Sequence, residues 1–149
     1  MNEADSSLGW LAAAGLEPRV FEHLAVLERE LWHDGALEAP LVELVRLRIA
    51  QILAAPAELD RRSPAAVAAG LDEAMVTELP NWPTSPLFDE RQRAVLSWSE
   101  QWVIDASEMT DDDAARLMAA LSPKECAALS TVLAVFESLT RTRVALGLA

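Results

Sequence analysis

From Pro40 to Ala54 the chain reads PLVELVRLRIAQILA, and Leu41, Leu44, Val45, Leu47, Ile49, Ile52 and Leu53 place apolar side chains on most of a helix's circumference. A helix that is apolar nearly all round has to be enclosed by other elements, so this segment is central and the rest of the chain packs about it. Its charges are Glu43, Arg46 and Arg48. Glu43 stands three residues before Arg46 and four before Leu47, on a face that is otherwise core, and a carboxylate there must be paired, neutral or lining a cavity.

The flanking segments read as further helices. Pro18 suits a first helical turn, and Val20, Leu24, Leu27 and Leu31 follow at helical spacing up to a stop at Gly35. Pro56 opens another helix, which Ser63-Pro64 either kinks or restarts with Ser63 as N-cap, and Gly70 ends it. A short helix runs from Asp72 to about Leu79, and the proline-rich ELPNWPTSPLFDE reads as a loop. Helical spacing resumes from Asp89 to about Ala106 with Val95, Leu96, Trp98, Trp102 and Val103. Thr110 caps a helix with three aspartates in its first turn, and Ser122-Pro123-Lys124-Glu125 forms a capping box before the last long helix, to Leu146. The expectation is an all-α bundle of about seven helices, with residues 1–17 as an N-terminal arm and 18–149 as one domain.

A chain of 149 residues suits one domain that buries roughly two-thirds of its unfolded surface. Twelve basic against twenty-four acidic residues leave a charge of −12, which repels phosphate backbones and anionic lipid surfaces, so neither nucleic acid nor membrane is expected as a partner. MNEADSSLGW has no basic stretch leading into an apolar core, and no apolar run is long enough to span a bilayer, which predicts a cytoplasmic protein. The single cysteine, Cys126, excludes an intrachain disulfide. His23 and His33 do not assemble a zinc set with it at any recognised spacing, so no metal or other cofactor is expected. Both histidines read as surface or partly packed residues with no serine or cysteine nearby to activate.

The order of several weak motifs carries a resemblance. Leu41-Val-Glu-Leu-Val-Arg-Leu-Arg-Ile-Ala-Gln-Ile52 resembles the E-L-V-x-L-R-x-x-Q helix of the alkylhydroperoxidase D-like (AhpD-like) and carboxymuconolactone decarboxylase family. Trp82 with Ser85-Pro86-Leu87-Phe88 resembles that family's W-x-x-S-x-x-F connection, Glu90-Arg91 through Leu96 its E-R-x-x-A-L helix start, and Thr140-Arg141 its N-R pair. The likeness covers about residues 18 to 146. It implies an AhpD-like helical bundle and a homo-oligomer, trimer or hexamer, for which the tryptophan-rich helices would form the interface.

The resemblance also locates a site. The family's Cys-x-x-Cys falls on Ala55 and Glu58, its following histidine on Arg62, and its glutamate on Glu43, twelve residues before Ala55. Thiol peroxidase chemistry needs a low-pKa thiolate and a second thiol to resolve the sulfenate, and neither cysteine is present. Cys126, in the first turn of the last helix, has no resolving partner and reads as a small core residue. What remains is Glu43 as a general acid or base tuned by burial, Glu58 as its partner carboxylate, and Arg62 to bind a substrate carboxylate. Glu58 and Arg62 share a helix face if the helix holds across them, and the plainer alternative is that they are a solvated surface pair worth a few tenths of a kcal/mol.

Two functions follow. One is a cofactor-independent acid/base enzyme, a decarboxylase, isomerase or lyase acting on a small organic acid. The alternative is a non-catalytic binding or scaffold protein that has lost the peroxidase chemistry. An enzyme needs Glu43 on an accessible cavity, whereas a scaffold is content with a Glu43 saturated by arginine.

Overall fold

Capping chemistry sets most of the helix boundaries. The computed structural model describes residues 18–33 and 35–147, together with Gly15; the expected N-terminal arm otherwise lies outside the described residues. Among these residues all regular structure is helical: α1 (Pro18–His33), α2 (Ala39–Ile52), α3 (Pro56–Leu59), α4 (Pro64–Ala68), α5 (Glu73–Glu78), α6 (Glu90–Asp105), α7 (Asp111–Ala120) and α8 (Pro123–Ala145). Asp89, Thr110 and Ser122 each accept the backbone N–H three residues on, and the side chains of Gln92, Asp113 and Glu125 accept the cap N–H in return. Each such box satisfies donors that a helix start would otherwise leave open. Ser63 accepts from the Ala66 N–H, so Pro64 restarts a helix and does not kink a continuing one.

α2 is the central helix, packed chiefly on α6 and α8. One side of it sends Val42, Val45 and Ile49 into a core shared with Val95 and Val103 of α6, Leu117 of α7, and Leu129, Leu133 and Phe136 of α8. Another side sends Leu44 and Leu47 into a second core with Leu79, Trp82, Phe88 and Leu96. Burying a leucine or phenylalanine side chain contributes about 1.5–3 kcal/mol, so α2, shared by both cores, orders the rest of the domain.

The segment read as a loop, residues 78–90, is more ordered than its composition suggests. Pro80 lies in a 3-10 turn, Leu79–Asn81, and Leu79, Trp82, Ser85 and Phe88 are buried. Its prolines restrict the backbone while its apolar residues close the second core. Trp82, Trp98 and Trp102 also point inward. The Trp82 Nε1–H donates to Glu100 at 2.8 Å and the Trp102 Nε1–H to Glu137 at 2.9 Å, while Trp98 and Trp102 pack on the first core. Among the described residues no single helix is long and apolar enough to cross a membrane.

Candidate functional site: a buried carboxylate and arginine network

The turn leaving α2 brings the site together. Leu53 closes the helix, and the Ala54 and Ala55 N–H groups donate back to the Gln51 and Ala50 carbonyls at 3.3 and 2.9 Å. This is a Schellman closure, and it requires a left-handed residue: Ala54 has φ +53°. Gly70 ends α4 in the same way with φ +87°. The reversal at Ala54 lays the one-turn helix α3 beside α2, which puts Glu58 over Arg46.

Glu43 has 0% of its surface exposed, Glu58 4% and Arg46 6%. The Arg46 Nε–H and Nη2–H donate to the two Glu43 oxygens, each at 2.8 Å, a bidentate pair. The Ser63 backbone N–H adds a third bond to Glu43 at 3.0 Å. The rest of the Arg46 guanidinium donates to the Glu58 carbonyl at 3.0 Å, the Glu58 carboxylate at 3.2 Å and the Arg61 carbonyl at 2.9 Å. Every N–H of Arg46 therefore has an acceptor. Glu58 also accepts from Arg61 at 2.8 Å and from Arg143, at the end of α8, at 2.9 Å. Burial by itself would lower the Arg46 pKa; the Glu43 hydrogen bonds and charge, then the charge of Glu58, outweigh it and hold the guanidinium above its usual range.

The network thus joins two of the three residues the sequence singled out and leaves out the third. α3 ends at Leu59, so Glu58 and Arg62 do not share a helix face. Arg62 turns away, pairing with Glu73 at 2.9 Å and donating to the Leu59 carbonyl at 2.6 Å. Its expected place beside Glu58 is taken by Arg61. Glu43 pairs with Arg46 and not with Arg141, which bonds Glu137 and the Val103 carbonyl.

An open groove of about 590 Å³ lies next to the network, walled by Trp32, Arg46, Arg61, Arg62 and Ser63, with His33 and Glu28 at its margin. Arg46 and Ser63 line the groove, and Glu43, which bonds to both, does not. Cys126 is half-buried at the edge of the first core, its Sγ 3.9 Å from the Leu121 carbonyl.

The hub, Arg46, was visible in the sequence as a neighbour of Glu43, but its reach to Glu58 and Arg61 depends on the Ala54 reversal. Arg143 lies 85 residues from Glu58, and no local signal announces it.

Comparison with known proteins agrees with this architecture. A crystal structure from Agrobacterium tumefaciens, of a protein of unknown function named as a candidate AhpD antioxidant-defence protein, superposes with a TM-score of 0.75. It is 24% identical, with 89% of this chain and 91% of that one covered, and it establishes the AhpD-like all-α fold. The sequence profile of the carboxymuconolactone decarboxylase family matches residues 18–101, more than half of the chain. The chain belongs to the carboxymuconolactone decarboxylase family. Among curated proteins none matches.

Proposed function

We propose that this chain is a non-redox, non-catalytic family member that keeps the helical scaffold and holds a small organic acid in the groove beside Arg46. The observation that carries the reading is the saturation of Glu43. A proton-transfer group must come within hydrogen-bond reach of the substrate, directly or through one water. Glu43 is wholly buried, bonded at both oxygens by Arg46 and Ser63, and does not line the groove. The positions that correspond to the redox pair carry a methyl group at Ala55 and a paired carboxylate at Glu58, and one cysteine in the chain supplies no resolving thiol. The groove itself offers Arg61, whose side chain is 55% exposed, and Arg62 to a carboxylate, with Trp32 beside them. The homo-oligomer implied by the resemblance is part of this reading.

A second reading is supported by the position of Arg46, which holds both carboxylates and also walls the groove. A substrate carboxylate competing for Arg46 would take the place of Glu58 at its 3.2 Å bond, leaving Glu58 on Arg61 and Arg143, and by loosening Arg46 from Glu43 would release that carboxylate for acid/base work on the acid.

The two separate in a thermal-melt screen of wild type and Glu43→Gln against small organic acids between about pH 5 and 8, with acid consumption followed by chromatography. Ligand at about 100 times its dissociation constant adds roughly 2.7 kcal/mol and moves the melt by several degrees. The binding reading expects acids that shift both proteins alike and are recovered unchanged. An acid consumed by wild type and spared by Glu43→Gln overturns it in favour of the enzyme. Reduction of hydrogen peroxide or cumene hydroperoxide with dithiothreitol above a Cys126→Ser control overturns both.

A further inference from the structure

A second groove, of about 790 Å³, runs between α6 and α7, and its wall contains Trp82, Arg91, Arg93, Ser97, Trp98 and Arg116. Arg91 is committed elsewhere, to Glu38 and Glu125 at 2.9 Å each and to the Ala120 carbonyl at 3.2 Å, and Arg116 pairs with Asp113 at 3.1 Å. Arg93 differs from both. Its Nη2–H donates to the Ser85 carbonyl at 2.7 Å, and among the described residues no carboxylate lies within ion-pairing distance of it. The Arg93 Nε–H is buried with no acceptor, and so is the indole Nε1–H of Trp98.

These are costly groups to leave open. A buried unsatisfied donor forfeits about 1–3 kcal/mol, more when it is charged, and native folds carry few of them. Here two occur in the wall of one groove, on adjacent turns of α6, in a chain whose net charge of −12 would supply carboxylates readily. Ala94, Ala119 and Ala120 supply the apolar part of the wall; Glu90 and Asp113 also line it, and Asp113 is already held by Thr110 and Arg116. A guanidinium held at one end by a carbonyl, an indole edge and an apolar floor together suit one chemistry: an anionic head that accepts from both donors and a flat apolar body that lies along the helices.

We propose that the α6–α7 groove is a binding site for a planar organic carboxylate, with Arg93 and Trp98 as the recognising donors. Both N–H groups are buried while their residues line the groove, so binding requires a side-chain adjustment of Arg93 and Trp98, and the Trp98 indole reports it. This site is separate from the groove beside Arg46 and does not depend on the function proposed for that groove.

The test titrates the full-length chain with benzoate, following tryptophan fluorescence and calorimetry, with benzamide as the uncharged control and inorganic phosphate as the anion without a body. Saturable binding of benzoate, weak binding of benzamide and phosphate, and at least a tenfold loss of affinity in both Trp98→Phe and Arg93→Lys are expected, about 1.4 kcal/mol for each lost donor. Arg29→Gln, an exposed arginine outside both grooves, leaves the affinity as it was, and Arg61→Gln reports any benzoate held in the other groove. Melting curves check that each variant folds; Trp98→Phe alone carries the test if Arg93→Lys does not. No benzoate binding up to about 10 mM overturns the proposal, as does binding that both variants keep or that Arg61→Gln abolishes. Phosphate binding as tightly as benzoate overturns the planar-acid assignment. Light scattering in which Trp98→Phe or Arg93→Lys turns an oligomer into a monomer overturns it in favour of a second copy seated in the groove.

Discussion

Two arginine-bearing regions of this domain treat their polar atoms in opposite ways. Around α2 and α3, every donor on Arg46 and both oxygens of Glu43 and Glu58 are matched, although all three residues are buried. Across α6 and α7, the half-buried Arg93 and Trp98 each keep a buried N–H with no acceptor. The first region is closed on itself, and any ligand arriving there competes with bonds already made. The second gains acceptors from whatever it binds. Completeness of internal pairing makes the Arg46 network a structural keystone and leaves Arg61 and Arg62 as the ligand-facing groups of its groove, whereas incompleteness carries the proposal of a separate site between α6 and α7.

The largest expected effect breaks the closed region. Arg46→Met leaves Glu43 as a buried charge whose remaining hydrogen bond is to the Ser63 N–H, and uncompensated charges of this kind cost about 3–5 kcal/mol. For a domain of this size that lowers the melting temperature on the order of 10 °C. Adding Glu43→Leu removes the stranded carboxylate, and replacing a buried ion pair with apolar groups of similar volume is often neutral, so the double variant recovers most of the loss in a calorimetric melt. If Arg46→Met melts within a degree or two of wild type, the network is not the keystone it is taken for.

A matched pair of tryptophan substitutions sharpens the contrast. Trp82→Phe removes an indole donor from Glu100, which also receives Arg48, and a hydrogen bond to a charged group contributes about 1.5–3 kcal/mol. Trp98→Phe removes a donor that has no partner, so relief of its desolvation penalty offsets the lost indole volume. Urea denaturation should show Trp82→Phe destabilised by roughly 2 kcal/mol and Trp98→Phe near wild type. Equal losses in the two variants would mean that Trp98 is held by packing alone and that its open N–H is of no consequence.

These tests follow the parts of the molecule that were legible in the sequence and the parts that were not. The helices were legible because their starts are encoded locally, in Asp89, Thr110, Ser122 and Ser63, and because α2 is too apolar to lie anywhere but the middle. Residues 78–90 form the connection that their proline density predicts, apart from the 3-10 turn Leu79–Asn81, but composition does not show that its buried run is ordered by packing against Leu44, Leu47 and Leu96. In the site, Glu43 stood out as a carboxylate among leucines. Its true partner set did not, since a left-handed alanine, a one-turn helix and an arginine from the far end of the chain assemble it. The Glu58 to Arg62 pairing failed for a local reason: spacing of four residues is informative only while the helix lasts, and α3 stops at Leu59.

Acid titration compares the satisfied arginine of the open region, Arg91, with its neighbour Arg93. The Ser122 hydroxyl and backbone N–H, and then Arg91, bring the Glu125 pKa down to about 2 from 4.5. A carboxylate whose folded value is depressed contributes stability that is fully present above its unfolded value and is lost as pH falls through the folded one. Glu125→Gln should therefore be less stable than wild type at neutral pH and converge with it between pH 4.5 and about 2. Added salt should narrow the neutral-pH gap only in part, because the Arg91 contribution is screened while the capping bonds from Ser122 are not. A gap that persists unchanged down to pH 2 would remove Glu125 from the acid response.

The smallest expected effect lies at Ala54, the hinge on which the closed region depends. An L-residue held at φ +53° carries roughly 1 kcal/mol of backbone strain, which glycine does not pay. Glycine also gains freedom in the unfolded chain, about 0.4–1 kcal/mol in the opposite direction. Ala54→Gly is therefore expected to stabilise the domain by a few tenths of a kcal/mol at most, visible as a small rise in urea midpoint with unchanged slope. The reverse change at the equivalent place in α4, Gly70→Ala, forces φ +87° on an alanine with open space around it, so strain alone acts and the midpoint falls. Opposite signs at two Schellman closures of the same design would establish that the turn before Ala55 is a strained conformation kept for the placement of α3. Equal signs would mean that the reversal is set by the packing of Ala55 and Glu58, and that Ala54 merely follows.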